Sequence, residues 1–181
     1  KYDLESLHAQ IGYVAQKAHM FKGSIRSNIC FGKPEASDEE MVHAASVAQA
    51  SDFISKRENG YLDEIAEDGT NISGGQKQRL SIARVILKKP SLYIYDDSFS
   101  ALDFKTDATL RKALKPEVKD AIFFVVAQRI STIKNADKII VLDEGKIVGM
   151  GKHSELMKDC DVYKEIAYSQ LSKEELEDAW A

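Results

Sequence analysis

Four short runs of the chain are apolar almost throughout and rich in Val, Ile, Phe or Tyr; they span residues 11–15, 92–95, 121–127 and 138–142. Continuous apolar runs of this length are typical of strands in a parallel sheet that is covered on both faces, whereas half-buried strands alternate. Helical patterns separate the later runs, so the order of elements predicts an α/β fold. The last run leads through Glu144 and Gly145 into the stretch 146–150, which predicts a hairpin.

The stretch 24–89 differs from its surroundings, because it is helical in pattern and has little strand character. Residues 37–40, with the sequence SDEE, have the spacing of a capping box, and the helix that they begin is expected to run to about Ala50. A second helix is expected to begin near Gly75 and to end before Pro90, since the residue before a proline is biased away from the helical conformation. A helical insertion therefore interrupts the α/β pattern.

The length of 181 residues favours one domain over two. Within this domain we expect an α/β core at residues 1–23 and 90–160, on either side of the helical insertion, and C-terminal helices at 161–181. The acidic stretch 173–178 is expected to be a solvated helix with charge pairs four residues apart.

Composition argues against several classes of protein. With 25 Lys and Arg against 29 Asp and Glu, the net charge is −4, whereas a nucleic-acid binder usually carries a basic face. The sequence contains no run of about eighteen apolar residues, so no bilayer-spanning segment is expected in it. Cys30 and Cys160 lack the spacing of metal ligands and are expected to be reduced thiols, and the four histidines form no metal-binding pattern.

The strongest local signal for chemistry is the sequence Ser73, Gly74, Gly75, Gln76, which directly precedes a predicted helix. Because glycines lack a Cβ atom, a phosphate can come close to backbone N–H groups at the positive end of the helix dipole. Taken alone, the same residues also suit a helix start with an N-cap serine and two glycines in a turn. Both interpretations are open at this point.

A second candidate site is formed by Asp96 and Asp97, which directly follow the apolar run 92–95. In open α/β sheets, ligands bind at the carboxyl edge of the strands. A carboxylate in that place can hold Mg²⁺ through water, and its neighbour can orient an attacking water. The alternative is a strand that ends in a solvated acidic turn.

In order and spacing these motifs resemble those of the ATP-binding cassette (ABC) ATPase family, over essentially the whole chain. The matching segments are the Q-loop with Gln16, the signature motif at Ser73, Gly74, Gly75 and Gln76, the Walker B carboxylates Asp96 and Asp97, the D-loop at Ser100, Ala101, Leu102 and Asp103, and the switch region with Gln128. Ile72 stands where the signature motif usually has Leu. The resemblance implies a RecA-like P-loop NTPase core, with a partial, mostly parallel sheet, and an inserted α-helical subdomain.

Three further segments are similar to those of the exporter branch of this family. They are residues 21–29 after the Q-loop, the acidic stretch 67–69, and residues 145–156. Ala66 stands where a glycine is common, and His153 is expected to be a surface or capping residue. The exporter resemblance implies a place at the cytoplasmic face of the cell membrane, where the helical insertion and residues 67–69 dock on coupling helices of a transmembrane domain.

The resemblance also implies the ligands, which are ATP and Mg²⁺. Asp96 and Gln16 would hold the ion, partly through water. Family members work as head-to-tail pairs, in which each ATP lies between the Walker motifs of one domain and the signature motif of the other. The D-loop, ending in Asp103, would then lie along the seam between the two domains.

Two positions depart from the family pattern. Asp97 replaces the usual Glu and is one methylene shorter, and a displacement of about 1 Å can forfeit much of the roughly 10²- to 10⁴-fold contribution of a positioned general base. Gln128 replaces the usual His and cannot carry a proton or a positive charge. We therefore predict a degenerate ATP site and an intact signature motif that serves a non-identical, competent partner. The simpler alternative is that Asp97 substitutes for Glu without loss.

The phosphate-binding sequence G-x-x-x-x-G-K-[S/T] does not occur in these 181 residues. The resemblance places that Walker A loop before the Q-loop, and the chain begins at Lys1 without a methionine, so we expect a piece of a longer polypeptide. Without the loop and its lysine, this chain alone is expected to bind ATP weakly or not at all and to be inactive.

Two other classes of function stay open. One is a soluble ABC-type ATPase that acts on nucleic acid, which the acidic charge balance and the exporter-like stretch 21–29 disfavour. The other is a regulatory nucleotide-sensing module without a role in transport, which the departures at Asp97 and Gln128 keep in consideration.

Overall fold

The computed structural model describes residues 3–172, and the chain divides into two compact units, Lys1–Val126 and Ala127–Ala181. The elements of the first unit are, in chain order, α1 (Leu4–Ala9), β1 (Ile11–Val14), β2 (Gly23–Ser24), α2 (Ile25–Ile29), α3 (Asp38–Val47), α4 (Ser51–Ile54), β3 (Glu64–Ile65), α5 (Gly74–Lys88), β4 (Leu92–Asp96), α6 (Phe104–Glu117) and β5 (Ile122–Val126). Single 3₁₀ turns lie at Cys30–Gly32, Gly60–Leu62 and Glu67–Gly69.

The first unit is built on a parallel sheet with the strand order β1-β4-β5. Val14, Tyr93 and Tyr95 on one face of this sheet are buried, whereas Tyr13 and Phe124 on the other face are exposed. The expected parallel strands are thus present, each within two residues of its predicted bounds. The expectation that both faces are covered is wrong for the described residues, because side chains cover only the face with Val14.

The helical insertion occupies the stretch between β1 and β4. Its short antiparallel ribbon pairs β2 with β3, and its helices share one hydrophobic core with the buried sheet face. The predicted capping box at Ser37 and Glu40 is confirmed, since each side chain accepts the backbone N–H of the other residue. The helix α3 ends at Val47, before the expected residue Ala50, because Gln49 adopts a left-handed backbone conformation with φ of 58°.

The longest helix, α5, begins at Gly74 and ends at Lys88, as the glycine pair and Pro90 predict. Lys89 terminates it in the left-handed conformation directly before the proline. Leu80, Ile82 and Ile86 on this helix are buried against the core of the first unit. The helix therefore holds the glycine-rich segment at its N-terminus in a fixed place.

The second unit contains, in chain order, α7 (Ile130–Ile133), β6 (Ile139–Asp143), β7 (Lys146–Gly151), α8 (His153–Asp159) and α9 (Asp161–Gln170). The predicted hairpin is confirmed: β6 and β7 pair antiparallel, and Glu144 and Gly145 both have positive φ, as a two-residue turn requires. The apolar run 138–142 therefore belongs to this hairpin, and its assignment to the parallel sheet is wrong. The acidic stretch 173–178 lies outside the described residues. Among the helices of residues 3–172, none combines the length and apolar character that a membrane crossing requires.

His153 is half-buried and packs against Tyr163 within the second unit. Its Nδ1 atom lies 2.8 Å from the hydroxyl of Tyr163, and the two rings meet edge to face with centroids 5.6 Å apart. Lys152, and not His153, is the N-cap residue of α8. Burial, and to a smaller degree the charge of Lys134, lowers the pKa of His153 from its ordinary value.

This lowered pKa predicts a pH dependence of stability. The unfolded chain binds a proton at His153 more readily than the folded chain, so the stabilisation is complete above the ordinary pKa of about 6.5 and is lost as pH falls through the folded-state pKa. We expect an NMR titration of His153 to give a midpoint below 6.5, and His153→Gln to flatten the loss of unfolding free energy over the same pH range. A midpoint at or above 6.5 would contradict the packing described for the ring.

Candidate functional site

The predicted site residues Gln16, Asp96 and Asp97 meet at the carboxyl edge of the parallel sheet. β1 and β4 run side by side in register, with Val14 opposite Tyr95, so the segments that follow these strands emerge together. The Gln16 Nε2 atom donates a hydrogen bond to Asp97 Oδ2 over 3.1 Å. The structure thus brings Gln16 to two adjacent carboxylates that lie about 80 positions further along the sequence.

The backbone of Asp97 is fixed on both sides. Its N–H donates to the carbonyl oxygen of Val126 at 2.9 Å, and its own carbonyl oxygen accepts from the Ser100 hydroxyl at 2.7 Å. Asp97 has φ of 44°, a left-handed conformation that Asp tolerates better than most residues. The neighbouring Ser98 hydroxyl is buried and donates to the Val14 carbonyl oxygen at 2.9 Å. The position of the Asp97 carboxylate is therefore set by a well-anchored turn.

Tyr13 is a residue of this site that sequence reasoning missed. Its hydroxyl donates to Asp96 Oδ2 over 2.8 Å. That hydrogen bond, together with desolvation and the negative charge of Asp96, raises the pKa of Tyr13 above its ordinary value. The alternation of side chains along a strand could have indicated this contact. Tyr13 precedes the buried Val14 and must point to the opposite face of the sheet, where Asp96 lies once the strands are aligned.

The oxygen donors at this edge fit Mg²⁺ bound together with a nucleotide. Magnesium is usually held by one or two carboxylates, several waters and substrate phosphates, and Asp96, Asp97 and the amide oxygen of Gln16 are donors of this kind. Within residues 3–172, no group of three or more His, Cys, Asp and Glu side chains could hold a metal ion.

At the glycine-rich segment, Ser73 and Gln76 form a capping box. The Ser73 hydroxyl accepts from the Gln76 N–H at 3.2 Å, and Gln76 Oε1 accepts from the Ser73 N–H at 3.0 Å. A Cβ atom on Gly75 would lie 3.3 Å from the carbonyl oxygen of Ala101, whereas one on Gly74 would meet no atom within 4 Å. Within the described residues, the nearby Ala101 carbonyl oxygen explains why position 75 needs a small residue, whereas no atom lies in front of Gly74.

The predicted D-loop residues lie between the Asp97 turn and α6. Asp103 is the N-cap of α6 and accepts hydrogen bonds from the Thr106 N–H at 3.0 Å and the Thr106 hydroxyl at 2.7 Å, which lower the pKa of Asp103. Leu102 is buried, whereas Ser100 and Ala101 are exposed. Ser100 and Ala101 are therefore accessible to another protein surface, whereas the Asp103 side chain caps the N-terminus of α6.

Gln128 belongs to the second unit, where Gln170 of α9 fixes its backbone. The Gln170 Nε2 atom donates to the Gln128 carbonyl oxygen at 2.8 Å, and Gln170 Oε1 accepts from the Ile130 N–H at 2.9 Å. One amide thus satisfies two backbone groups on either side of Arg129. Sequence reasoning missed Gln170, because nothing local to α9 indicates which loop it meets.

The first unit thus combines a parallel sheet, a helical insertion and two adjacent carboxylates at one edge of the sheet. The sequence profile of the family described as "ABC transporter" matches residues 1–100, and the chain belongs to this family. A solved relative, titled "Structure of a bacterial Atm1-family ABC exporter with ATP bound", superposes with a TM-score of 0.89 at 34% identity, over 93% of this chain and 30% of that one. The predicted α/β fold with a parallel sheet is thereby confirmed.

Two curated relatives are also similar to this chain over most of its length. "Putative multidrug export ATP-binding/permease protein YgaD" of Bacillus subtilis is 46% identical over 165 residues, which cover 91% of this chain and 28% of that protein. "Uncharacterized ABC transporter ATP-binding protein Rv1273c" of Mycobacterium tuberculosis is 43% identical over 173 residues, 94% of this chain and 29% of that protein. The chain therefore spans less than a third of the length of these relatives.

Proposed function

We propose that this chain is part of the ATP-binding domain of an ABC exporter, which couples ATP binding and hydrolysis to export at the cytoplasmic face of the cell membrane. The observation that carries the proposal is the meeting of Gln16 with the adjacent carboxylates Asp96 and Asp97 at one sheet edge, in a chain of the ABC transporter family. Ligands of open α/β sheets bind at such an edge.

ATP and Mg²⁺ are the proposed ligands. Mg²⁺ bound with ATP neutralises charge that develops on the phosphates during hydrolysis. Asp96 would hold the ion through water, as one of the one or two carboxylates that such a site needs. Gln16 directs Nε2 towards Asp97, which leaves its amide oxygen for the ion.

The site of this chain is proposed to hydrolyse ATP slowly. Asp97 is one methylene shorter than Glu, and its backbone is anchored by Val126 and Ser100, so a shift of the main chain cannot restore the lost reach. At the switch position, Gln128 can donate a hydrogen bond but cannot carry a proton. Both changes are proposed to weaken stabilisation of the transition state for hydrolysis. The groups that can bind the nucleotide are retained.

The partner is proposed to be a second, non-identical ATP-binding domain with a competent site. Ser73, Gly74, Gly75 and Gln76 would complete that site from this chain. Support comes from the open space at Gly74 and the exposure of Ser100 and Ala101 beside the same helix start. Backbone N–H groups at a helix N-terminus with no side chain in front of them are suited to phosphate contact.

The helical insertion is proposed to dock on coupling helices of a transmembrane domain. Phe21 and Phe31 are both exposed and stack with centroids 4.3 Å apart, and the Arg84 guanidinium lies over both rings. The acidic turn Glu67–Gly69 is held by a hydrogen bond of 2.7 Å from Lys77 Nζ to the Asp68 carbonyl oxygen. Exposed aromatic side chains of this kind are enriched at protein interfaces.

Purification of the full-length protein tests this proposal against its rivals. We expect extraction to require detergent, a second ATP-binding polypeptide or domain to accompany the chain, and ATP hydrolysis to depend on Mg²⁺. Recovery without detergent and without a transmembrane partner would favour a regulatory nucleotide-sensing module. Binding to DNA or RNA at physiological salt would favour an ATPase that acts on nucleic acid, against the net charge of −4.

A further inference from the structure

Tyr13 reaches Asp96 because of the register between two parallel strands. Tyr13 pairs with Ile94 across β1 and β4, and Asp96 lies two residues beyond Ile94 on the same face of the sheet. With strands about 4.8 Å apart and a rise of about 6.6 Å over two residues, the two backbones lie about 8 Å apart, a distance that an aromatic side chain spans. The contact, 2.8 Å from the Tyr13 hydroxyl to Asp96 Oδ2, therefore follows from the strand pairing.

The two adjacent carboxylates at this edge each receive one donor from the β1 segment. Asp96 accepts from the Tyr13 hydroxyl and Asp97 from the Gln16 amide. A hydrogen bond from a hydroxyl to a carboxylate is charge-assisted and directional, so it restricts rotation of the Asp96 carboxylate. With Oδ2 directed towards Tyr13, the second oxygen of Asp96 is left for the water shell of a metal ion.

Within the described residues, the ring of Tyr13 is outside the core and the residue is 54% exposed. Removal of the hydroxyl alone therefore tests its hydrogen bond without opening a cavity. Partners that orient a metal-binding group typically contribute about 10- to 100-fold to metal affinity. Because Asp96 would reach the ion through water, the contribution of Tyr13 is expected near or below the lower end of this range.

We propose that Tyr13 is a positioning residue for Mg²⁺, whose hydroxyl fixes the orientation of the Asp96 carboxylate before the metal–nucleotide complex binds. The inference rests on the proposed function and adds to it a role for Tyr13, three residues before Gln16. Tyr13 does not contact the reacting atoms; it acts through Asp96.

The test uses the full-length transporter with its partner and measures binding of a fluorescent ATP analogue while Mg²⁺ is titrated. Asp96→Asn identifies the Mg²⁺-dependent component that belongs to this site. We expect Tyr13→Phe to raise the half-saturating Mg²⁺ concentration of that component by about 3- to 10-fold, and to leave analogue binding in EDTA and the melting temperature unchanged. Tyr168→Phe serves as the matched control, since Tyr168 is 53% exposed and lies in the second unit.

Three outcomes would overturn the inference. An unchanged Mg²⁺ dependence in Tyr13→Phe means that the hydroxyl does not position Asp96. An equal loss of analogue binding with Mg²⁺ and with EDTA means that Tyr13 supports the site only structurally. If the Asp96→Asn variant keeps all the Mg²⁺-dependent analogue binding of the wild-type protein, the proposed function itself is contradicted. The role of Tyr13 is then overturned with it.

Discussion

Replacing Asp97 by Glu and Gln128 by His in the full transporter is expected to raise ATP hydrolysis at this site by about 10²- to 10⁴-fold. The longer acid restores the reach of a general base from an anchored turn, and the imidazole restores a group that can carry a proton. The gain corresponds to about 2.7 to 5.4 kcal/mol of activation free energy. A Glu in the left-handed conformation of residue 97 is expected to cost at most about 1–2 kcal/mol of folding stability. This cost affects the free energy of unfolding and not the activation free energy of hydrolysis.

Single-turnover hydrolysis with labelled ATP measures this effect most directly, because steady-state turnover is dominated by the faster site. Asp97→Glu alone and Gln128→His alone are the matched controls, and each is expected to give part of the gain. Asp97→Asn should leave the slow phase slow or slower, since it removes the carboxylate and keeps the length. An unchanged slow phase in the double variant would contradict the assignment of Asp97 and Gln128 as the limiting residues.

Gly74→Ala is expected to reduce hydrolysis at the partner's site by about 100-fold or more without destabilising this chain. In the described structure a Cβ at Gly74 meets nothing within 4 Å, and Ala is the better helix former, so stability should stay equal or rise by about 0.5–1 kcal/mol. A phosphate drawn to the same N–H groups would instead meet the added methyl group. Loss of activity with retained stability therefore indicates that a ligand from outside this chain approaches Gly74.

Gly75→Ala is the control for this experiment. Its Cβ would lie 3.3 Å from the Ala101 carbonyl oxygen, a tight contact with backbone, so this variant is expected to lose stability. Thermal denaturation of the full-length protein measures the stability of the Gly74→Ala and Gly75→Ala variants separately from their hydrolysis activity. Full retention of the partner's hydrolysis in Gly74→Ala would contradict the proposed role of the signature segment.

Local features of this protein could be predicted from sequence, because short-range chemistry determines them. The capping residue Ser37, the turn at Glu144 and Gly145 and the stop before Pro90 each depend on residues a few positions apart. A place for Gln16 near the carboxylates was implied only by the family resemblance, which assigns Gln16 and Asp96 to the same ion. The degenerate chemistry and the partner stay predictions.

Features that depend on long-range pairing could not be predicted. The run 138–142 has the same apolar character as β4, and only the hairpin pairing shows that it is not in the parallel sheet. Likewise, the exposed sheet face with Tyr13 and Phe124 has the composition of a buried face. The contacts of Tyr13 and Gln170 were missed for the same reason, since each requires the register or packing of elements far apart in the sequence.

The central claim is that two unequal ATP sites act together, one slow because of Asp97 and Gln128. The measurement that tests it most directly is the nucleotide content of the wild-type transporter after one turnover with saturating Mg·ATP. The account predicts that one of the two bound nucleotides is converted rapidly to ADP while the other is retained as ATP. Conversion of both nucleotides to ADP with a single rate constant would contradict it.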